Sequence, residues 1–103
     1  MNNETKMSFS ELIQSDTPVL VDFFATWCGP CKAMNPVVKE LAQEVSGKAR
    51  VIKIDIDKNQ QAAMQYGVQA VPTFMIFKKG EIVWRHTGGT SLSNLKQAVS
   101  QFA

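Results

Sequence analysis

Hydrophobic and polar positions along the chain follow two periods, that of β-strands and that of α-helices. The strand-like stretches are the clearest. Val19–Phe24 is apolar at successive positions except Asp22, a pattern typical of a central, parallel strand buried on both faces. Residues 50–57 instead alternate, with Ile52, Ile54 and Ile56 on one face and Val51, Lys53, Asp55 and Asp57 on the other, which predicts a second strand. Residues 73–77 and 82–87 flank a Lys-Gly turn, so they predict an antiparallel hairpin.

Apolar residues at helical spacing fill the intervals around these strands. A short helix over residues 9–14 follows a capping box, and a long amphipathic helix runs from the cysteine pair to residues 46–47. Asn59 can cap a third helix that ends at residues 65–66, and Ser91 can cap a last one. This order of elements predicts an α/β fold in which four helices flank a central mixed β-sheet of four to five strands.

Length and composition fit one domain. The chain has 103 residues, 45% of them hydrophobic, which suits one compact core and leaves no room for a second. We therefore expect a single domain over residues 1–103. Residues 1–7 are polar, and we expect them to be disordered or to form a short edge strand.

Charge and hydropathy narrow the classes of partner. Eleven Lys and Arg residues against nine Asp and Glu give a net charge of +2, and their scatter argues against a nucleic-acid partner. The apolar runs are far shorter than the roughly 20 residues that span a bilayer, so no membrane partner is expected. The N-terminus lacks a signal-like apolar core, which favours a cytoplasmic location, although a chain trimmed of its signal would read the same. We also expect a monomer.

The motif that can carry chemistry is Trp27-Cys28-Gly29-Pro30-Cys31-Lys32. It falls where a strand hands over to a helix, so Cys28 should lie at or just before the helix N-terminus. Unpaired amides and the helix dipole there favour the thiolate over the thiol. Residues three apart on a helical turn share one face, and Cys28 and Cys31 can therefore form a disulfide.

These features predict thiol–disulfide exchange. An exposed Cys28 would attack a substrate disulfide, and a shielded Cys31 would then resolve the mixed disulfide. A zinc site is disfavoured because two cysteines and the distant His86 fall short of four ligands. A merely structural disulfide is disfavoured because so short a loop restricts the unfolded chain little.

The chain resembles the thioredoxin family over residues 9–102. Several spaced motifs carry the resemblance, namely residues 21–32, Asp55-Ile56-Asp57, Tyr66-Gly67-Val68, Val71-Pro72-Thr73 and Gly88. The resemblance implies the thioredoxin fold and a protein-disulfide reductase, since members with Gly-Pro between the cysteines mostly act as reductants. The implied substrate groove consists of Trp27, Gly29, Pro30, Val71, Pro72 and Gly88.

The resemblance also implies partners. Disulfide-containing client proteins would be the substrates, and thioredoxin reductase with NADPH would recharge the cysteine pair. Apart from the redox-active disulfide Cys28–Cys31, no bound cofactor and no metal is expected. Phe24 stands where the family often has tryptophan, which is a mild change of packing. Thr87 puts a hydroxyl where the groove is usually apolar, which can alter the choice of partners.

Asp22 is an acid within an otherwise apolar strand. It must either be desolvated with a raised pKa, find a cation, or reach water at the strand end. The resemblance implies that Asp22 accepts a proton from Cys31 through water, with Lys53 on the neighbouring strand tuning it. Lys53 could as easily be a solvated strand residue.

Other residues near the motif have two interpretations. Only about 5% of X-Pro bonds are cis, so the sequence alone predicts a trans Val71-Pro72 bond, whereas the resemblance implies a cis bond. In cis, Val71 would turn its backbone toward an extended substrate. Trp27 belongs either to an exposed rim or to the core. Trp84 and His86 are interpreted as surface or packing residues.

Two further functions fit the same pattern. One is a disulfide oxidase or isomerase on the same scaffold, which differs in reduction potential. The other is a non-enzymatic binding module that holds a partner in the groove, with its cysteines incidental. Turnover of a disulfide substrate separates an enzyme from a binder, and the reduction potential separates a reductant from an oxidant.

Overall fold

A computed structural model describes residues 8–103 of the chain. The helices and strands in chain order are α1 (Phe9–Leu12), β1 (Val19–Phe24), α2 (Gly29–Glu44), β2 (Arg50–Asp55), α3 (Gln60–Gln65), β3 (Thr73–Lys78), β4 (Glu81–Thr87) and α4 (Leu92–Phe102). Every predicted element is present in the predicted order, with ends that shift by a few residues.

Strand β1 lies inside a mixed sheet of order β2-β1-β3-β4. It pairs in parallel with β2 and antiparallel with β3, and β3 pairs antiparallel with β4. β1 is buried from Val19 to Phe23 because strands cover both of its edges and helices cover both faces. The predicted mixed sheet flanked by four helices is confirmed, with four strands in residues 8–103. The possible fifth strand falls in residues 1–7, outside the described residues.

One face of the sheet packs against the two long helices. Leu20, Phe74 and Ile76 project from β1 and β3 into a core that α2 and α4 complete with residues such as Leu41 and Leu95. Because successive strand residues point to opposite faces, Asp22 shares this face with Leu20. The acid therefore points into the layer between the sheet and α2, rather than toward solvent.

The other face packs against the two short helices. Val21, Phe23 and Phe77 lie there with Phe9 from α1 and the half-buried Tyr66. Edge-to-face aromatic contacts join the layer, with ring centroids 5.7 Å apart for Phe9 and Phe77 and 5.1 Å apart for Tyr66 and Phe77. Burying one such large apolar side chain stabilises the fold by about 1.5 to 3 kcal/mol.

Local hydrogen bonds decide where the elements begin and end. The predicted capping box is confirmed, since Glu11 N–H donates to Ser8 Oγ at 3.3 Å and Ser8 N–H donates to Glu11 Oε1 at 2.9 Å. Ser91 caps α4 as predicted. Asn59 occupies the N-cap position of α3 as predicted, but its side chain makes no capping bond and donates to the carbonyl of Asp55 at 3.0 Å instead.

Strand β2 ends two residues earlier than predicted. The carboxylate of Asp55 accepts the backbone N–H of Asp57 at 2.8 Å, and the carbonyl of Asp55 accepts that of Lys58 at 3.2 Å. These bonds close a turn at the carboxyl end of the strand. Asp57 consequently leaves the sheet on the side where β1 also ends.

Candidate active site

The two cysteines lie at the start of α2, shortly after the end of β1. Cys28 occupies the N-cap position and Cys31 the third residue of the helix, after Gly29 and Pro30. The backbone N–H of Cys31 donates to Cys28 Sγ at 3.1 Å, in the place of an ordinary capping hydroxyl. The two residues form a disulfide with their Cα atoms 5.3 Å apart, as their spacing predicts.

The predicted difference in exposure between the cysteines is wrong. Cys28 is 4% exposed and Cys31 is 3% exposed, so both are buried in the disulfide form. Ala25 and the half-buried side chains of Ile56 and Val71 pack around the pair. The chain segment before β3 folds over the motif, and the local sequence around the cysteines does not reveal that contact.

A backbone carbonyl approaches the sulfur of Cys28. Its sulfur lies 3.7 Å from the carbonyl oxygen of Val71. The Val71-Pro72 bond is cis, as the resemblance implies. Gly88 joins the same surface, since its N–H donates to the carbonyl of Pro72 at 2.8 Å. Strands β3 and β4 thus bring three of the predicted groove residues together beside the helix N-terminus.

Trp27 forms an exposed part of this surface. Its side chain is 67% exposed, which agrees with a position on the rim rather than in the core. The indole Nε1–H donates to Asp57 Oδ2 at 2.9 Å. Sequence reasoning did not assign a role to Asp57, although its place at the carboxyl end of β2 was a signal that it lies near the end of β1.

Cys31, unlike Cys28, lies beside a cavity that contains charged and amide side chains as well as apolar ones. A cavity of about 180 Å³ opens beside it, lined by Phe24, Ala25, Thr26, Cys31, Lys32, Asn35 and Lys53. Lys53 is the direct cross-strand neighbour of Asp22 in the parallel β1–β2 pair, which brings these two predicted residues together. Its ammonium lies 4.6 Å from the centroid of the Phe24 ring.

Asp22 is buried, with 1% of its surface exposed, so it does not reach water at the strand end. Within residues 8–103 its Oδ1 has no hydrogen-bond partner. Burial raises the pKa of the Asp22 carboxyl to about 6, while the positive charge of Lys53 opposes that rise. A carboxylate with such a pKa is mostly ionised at neutral pH and can accept a proton there.

Asn35 was missed by sequence reasoning. It lies one helical turn after Cys31 on α2, and its Oδ1 accepts a hydrogen bond from Lys53 Nζ at 2.6 Å. Residues four apart on a helix share a face, so the spacing from Cys31 was the available signal. Its contact with Lys53 additionally needs the placement of α2 over β2.

Trp84 and His86 stack on each other on the outer strand β4, with ring centroids 6.1 Å apart. This contact agrees with their interpretation as surface or packing residues. The described residues contain no group of three or more His, Cys, Asp or Glu side chains placed to hold a metal ion. None of the helices in the described part of the chain has the length and hydropathy needed to cross a bilayer.

A disulfide at a helix N-terminus, beside a cis-proline segment and a buried acid, defines a thiol–disulfide oxidoreductase of the α/β class. The family model described as thioredoxin matches residues 1–101. The chain belongs to the thioredoxin family.

Relatives and solved structures agree with this assignment. The chain is 47% identical to thioredoxin 1 of Nostoc sp. over 91 residues, 88% of this chain and 85% of the relative. It is 49% identical to a thioredoxin of Rickettsia felis over 81 residues, 78% of this chain and 77% of the relative.

The fold is similar to solved thioredoxins from two fungi. A thioredoxin of Malassezia sympodialis superposes with a TM-score of 0.84 at 36% identity, covering 91% of this chain and 82% of that one. Mitochondrial thioredoxin 3 of Saccharomyces cerevisiae, in its oxidised form, gives 0.82 at 33% identity, covering 90% and 86%. The protein is thus a protein-disulfide reductase of the thioredoxin type, with Cys28–Cys31 as its redox-active disulfide.

Proposed function

We propose that this protein reduces disulfides of client proteins through Cys28 as nucleophile and Cys31 as resolving residue, and that thioredoxin reductase recharges it with NADPH. The hydrogen bond from Cys31 N–H to Cys28 Sγ, at the N-cap of α2, carries this proposal. A sulfur that accepts an amide hydrogen bond at the positive end of a helix is stabilised as the thiolate once the disulfide is reduced.

The reaction proceeds by two exchanges. The Cys28 thiolate attacks one sulfur of the client disulfide, which forms a mixed disulfide and releases the other client sulfur as a thiolate that takes up a proton. Cys31 then loses its proton and attacks Cys28 Sγ, which breaks the mixed disulfide and releases the second client thiol. The protein is left oxidised as the Cys28–Cys31 disulfide, and two electrons from NADPH restore the dithiol.

Asp22 accepts the proton of Cys31 in the second exchange, with Lys53 as the neighbouring charge that tunes it. The support is the burial of Asp22, its pKa of about 6 and its pairing with Lys53 across the β1–β2 register. Asp22→Asn should slow resolution of the mixed disulfide near neutral pH. An unchanged resolution rate would remove Asp22 from the mechanism.

The groove that binds the client includes Trp27, Gly29, Pro30, Val71, Pro72 and Gly88. Its support is the cluster of Val71, Pro72 and Gly88 beside Cys28 and the exposure of the Trp27 indole. An extended client segment can pair with the backbone of Val71 as an added strand. The Thr87 hydroxyl at the end of β4 gives this groove a polar margin.

The proposed setting is a reducing compartment, the cytoplasm, where the protein acts as a monomer on disulfide-containing proteins. A pair of cysteines in such a compartment serves catalysis more often than structure. The scattered basic residues support clients that are proteins rather than nucleic acids.

A coupled assay tests the proposal. NADPH oxidation is followed with thioredoxin reductase, this protein and a disulfide-bonded protein substrate, and the reduction potential is measured against glutathione. We expect turnover that is lost in Cys28→Ser and a potential more reducing than that of glutathione. Turnover that survives in Cys28→Ser would contradict the assigned nucleophile. A strongly oxidising potential would instead indicate an oxidase or isomerase.

A further inference from the structure

Two contacts hold the ammonium group of Lys53. Asn35 Oδ1 accepts its hydrogen bond at 2.6 Å, and the ring of Phe24 lies beneath it with 4.6 Å from Nζ to the ring centroid. All three residues line the cavity beside Cys31. Lys53 is itself an exposed residue, so without these contacts its long side chain would have solvent available to it.

The ammonium is not in an ion pair with the acid it faces. Asp22 and Lys53 are paired in the register of β1 and β2, yet the ion pair found within 4 Å in residues 8–103 joins Lys96 and Glu44 instead. The charge of Lys53 still opposes the rise in the pKa of Asp22. Its effect on the acid therefore acts through space, and its size depends on where the ammonium is held.

Few other charged groups lie near enough to act on the carboxyl group of Asp22. Helix α2 contributes the Cys31 disulfide and Lys32 at the cavity, β2 contributes Asp55 two residues beyond Lys53, and β3 places the apolar Phe74 beside the acid. The carboxylate of Asp55 already accepts a backbone N–H at 2.8 Å. Lys53 is the charge in direct register with Asp22.

We propose that Asn35 is a positioning residue, which holds the ammonium of Lys53 over Phe24 beside Cys31 and thereby fixes the charge that acts on Asp22. The amide has no part in bond making or breaking, and it acts only through Lys53. The inference deepens the proposed function, on which it rests for the importance of Asp22 to catalysis.

The test is a carboxyl-carbon NMR titration of Asp22 in the oxidised protein, which measures its pKa without any turnover. Asn35→Ala should raise the titration midpoint by about half a pH unit, because the released ammonium moves into solvent, where its charge is screened. Lys53→Met should raise the midpoint at least as far. The double variant should match Lys53→Met alone, since Asn35 acts only through that charge.

Two further variants separate positioning from a general effect on structure. Asn35→Gln keeps an amide acceptor on the exposed face of α2 and should restore part of the native midpoint. Asn94→Ala on α4 removes an amide that donates to Thr90 Oγ1 at 3.0 Å, and as the matched control it should leave the Asp22 midpoint unchanged. Backbone amide spectra verify that each variant is folded.

An unchanged or lowered midpoint in Asn35→Ala would overturn the inference, and so would a double variant that exceeds Lys53→Met. These outcomes are distinct from a failure of the proposed function, which is decided by the rate at which Asp22→Asn resolves mixed disulfides. Coupling between Asn35 and Asp22 can be present in the titration even where that rate is unchanged.

Discussion

The two cysteines are buried to the same degree, but the regions on either side of them differ in chemistry. The carbonyl oxygen of Val71 lies 3.7 Å from Cys28 Sγ, and Gly88 N–H donates to the carbonyl of the adjacent Pro72. Cys31 lies at a cavity whose lining includes the charged Lys32 and Lys53 and the amide of Asn35 in addition to apolar side chains. Backbone donors and acceptors suit the binding of an extended chain, whereas a buried acid with a nearby cation suits proton transfer. Surroundings rather than exposure therefore distinguish the two sulfurs.

Exchanging each cysteine for serine tests this comparison with the largest expected effect. Cys28→Ser should lower turnover by about a thousandfold or more, because no other side chain can replace the nucleophile. Cys31→Ser should also lose turnover, but it should accumulate mixed disulfides with client proteins, seen as adducts by mass spectrometry under excess disulfide.

The two serine variants serve as controls for each other, since both remove the same disulfide from the same turn of α2. Adducts that form on Cys31 in the Cys28→Ser variant as readily as on Cys28 in the other would show that the two sides are equivalent. That result would contradict the different roles assigned to Cys28 and Cys31.

The buried carboxyl of Asp22 should make the stability of the protein depend on pH. The native pKa of Asp22 is about 6, above the ordinary value of 3.8, so the folded protein keeps this proton to a higher pH than the unfolded chain does. The stabilising contribution is therefore full below pH 3.8, and it is lost as pH rises from there through about 6. The free energy of unfolding of the wild type minus that of Asp22→Asn should fall by about 3 kcal/mol across this window.

Urea unfolding of the oxidised forms at several pH values measures this difference. Asp16→Asn, which alters an exposed acid after α1, is the matched control and should keep the slope of the wild type. A difference between wild type and Asp22→Asn that stays constant with pH would mean that folding does not raise the pKa of Asp22.

The backbone conformation at Gly88, beside Pro72, should matter for both stability and client binding. Gly88 has φ +98, and a Cβ atom built there meets nothing within 4 Å, so Gly88→Ala strains the backbone without a clash. We expect a loss of about 1 kcal/mol in the free energy of unfolding. A raised KM for client proteins should accompany it, because the N–H of Gly88 supports Pro72.

Gly29→Ala provides the control for the loss of stability. Gly29 is the first residue of α2, has no positive φ and also has open space around an added methyl group. Its substitution should cost no stability in the same unfolding experiment. Equal losses at Gly29 and Gly88 would indicate that the methyl group rather than the backbone conformation is responsible.

Most of the fold follows from local patterns in the sequence. The apolar run of β1 and the caps at Ser8 and Ser91 depend on neighbours in the chain, and each is confirmed. Strand β2 is also present, but its burial does not alternate, because Val51 packs against one core while Ile52 and Ile54 pack against the other. Asn59 lies at the predicted N-cap of α3, but it makes no side-chain capping bond because the carbonyl of Asp55 lies within reach of its side chain. Local propensity does not distinguish a side-chain amide that donates to a nearby carbonyl from one that accepts an N–H group of the following helix.

The site was less predictable because its contacts join distant segments. The burial of Cys28 depends on Val71, 43 residues away, and the bond of Lys53 to Asn35 spans 18 residues. Neither contact can be read from periodicity, which assigns a residue to a face but not to a partner on another element. Asp57, 30 residues from Trp27, is a third case.

The contact between Trp27 and Asp57 has the smallest expected effect. Asp57→Ala removes the acceptor of an indole that is 67% exposed, so water can replace the lost bond and stability should fall by about 0.5 kcal/mol or less. The proton signal of the Trp27 indole N–H should shift, while that of Trp84 provides the control within the same spectrum. A large loss of stability would show that the contact is part of the packed core, and a shift confined to Trp84 would contradict the bond between Trp27 and Asp57.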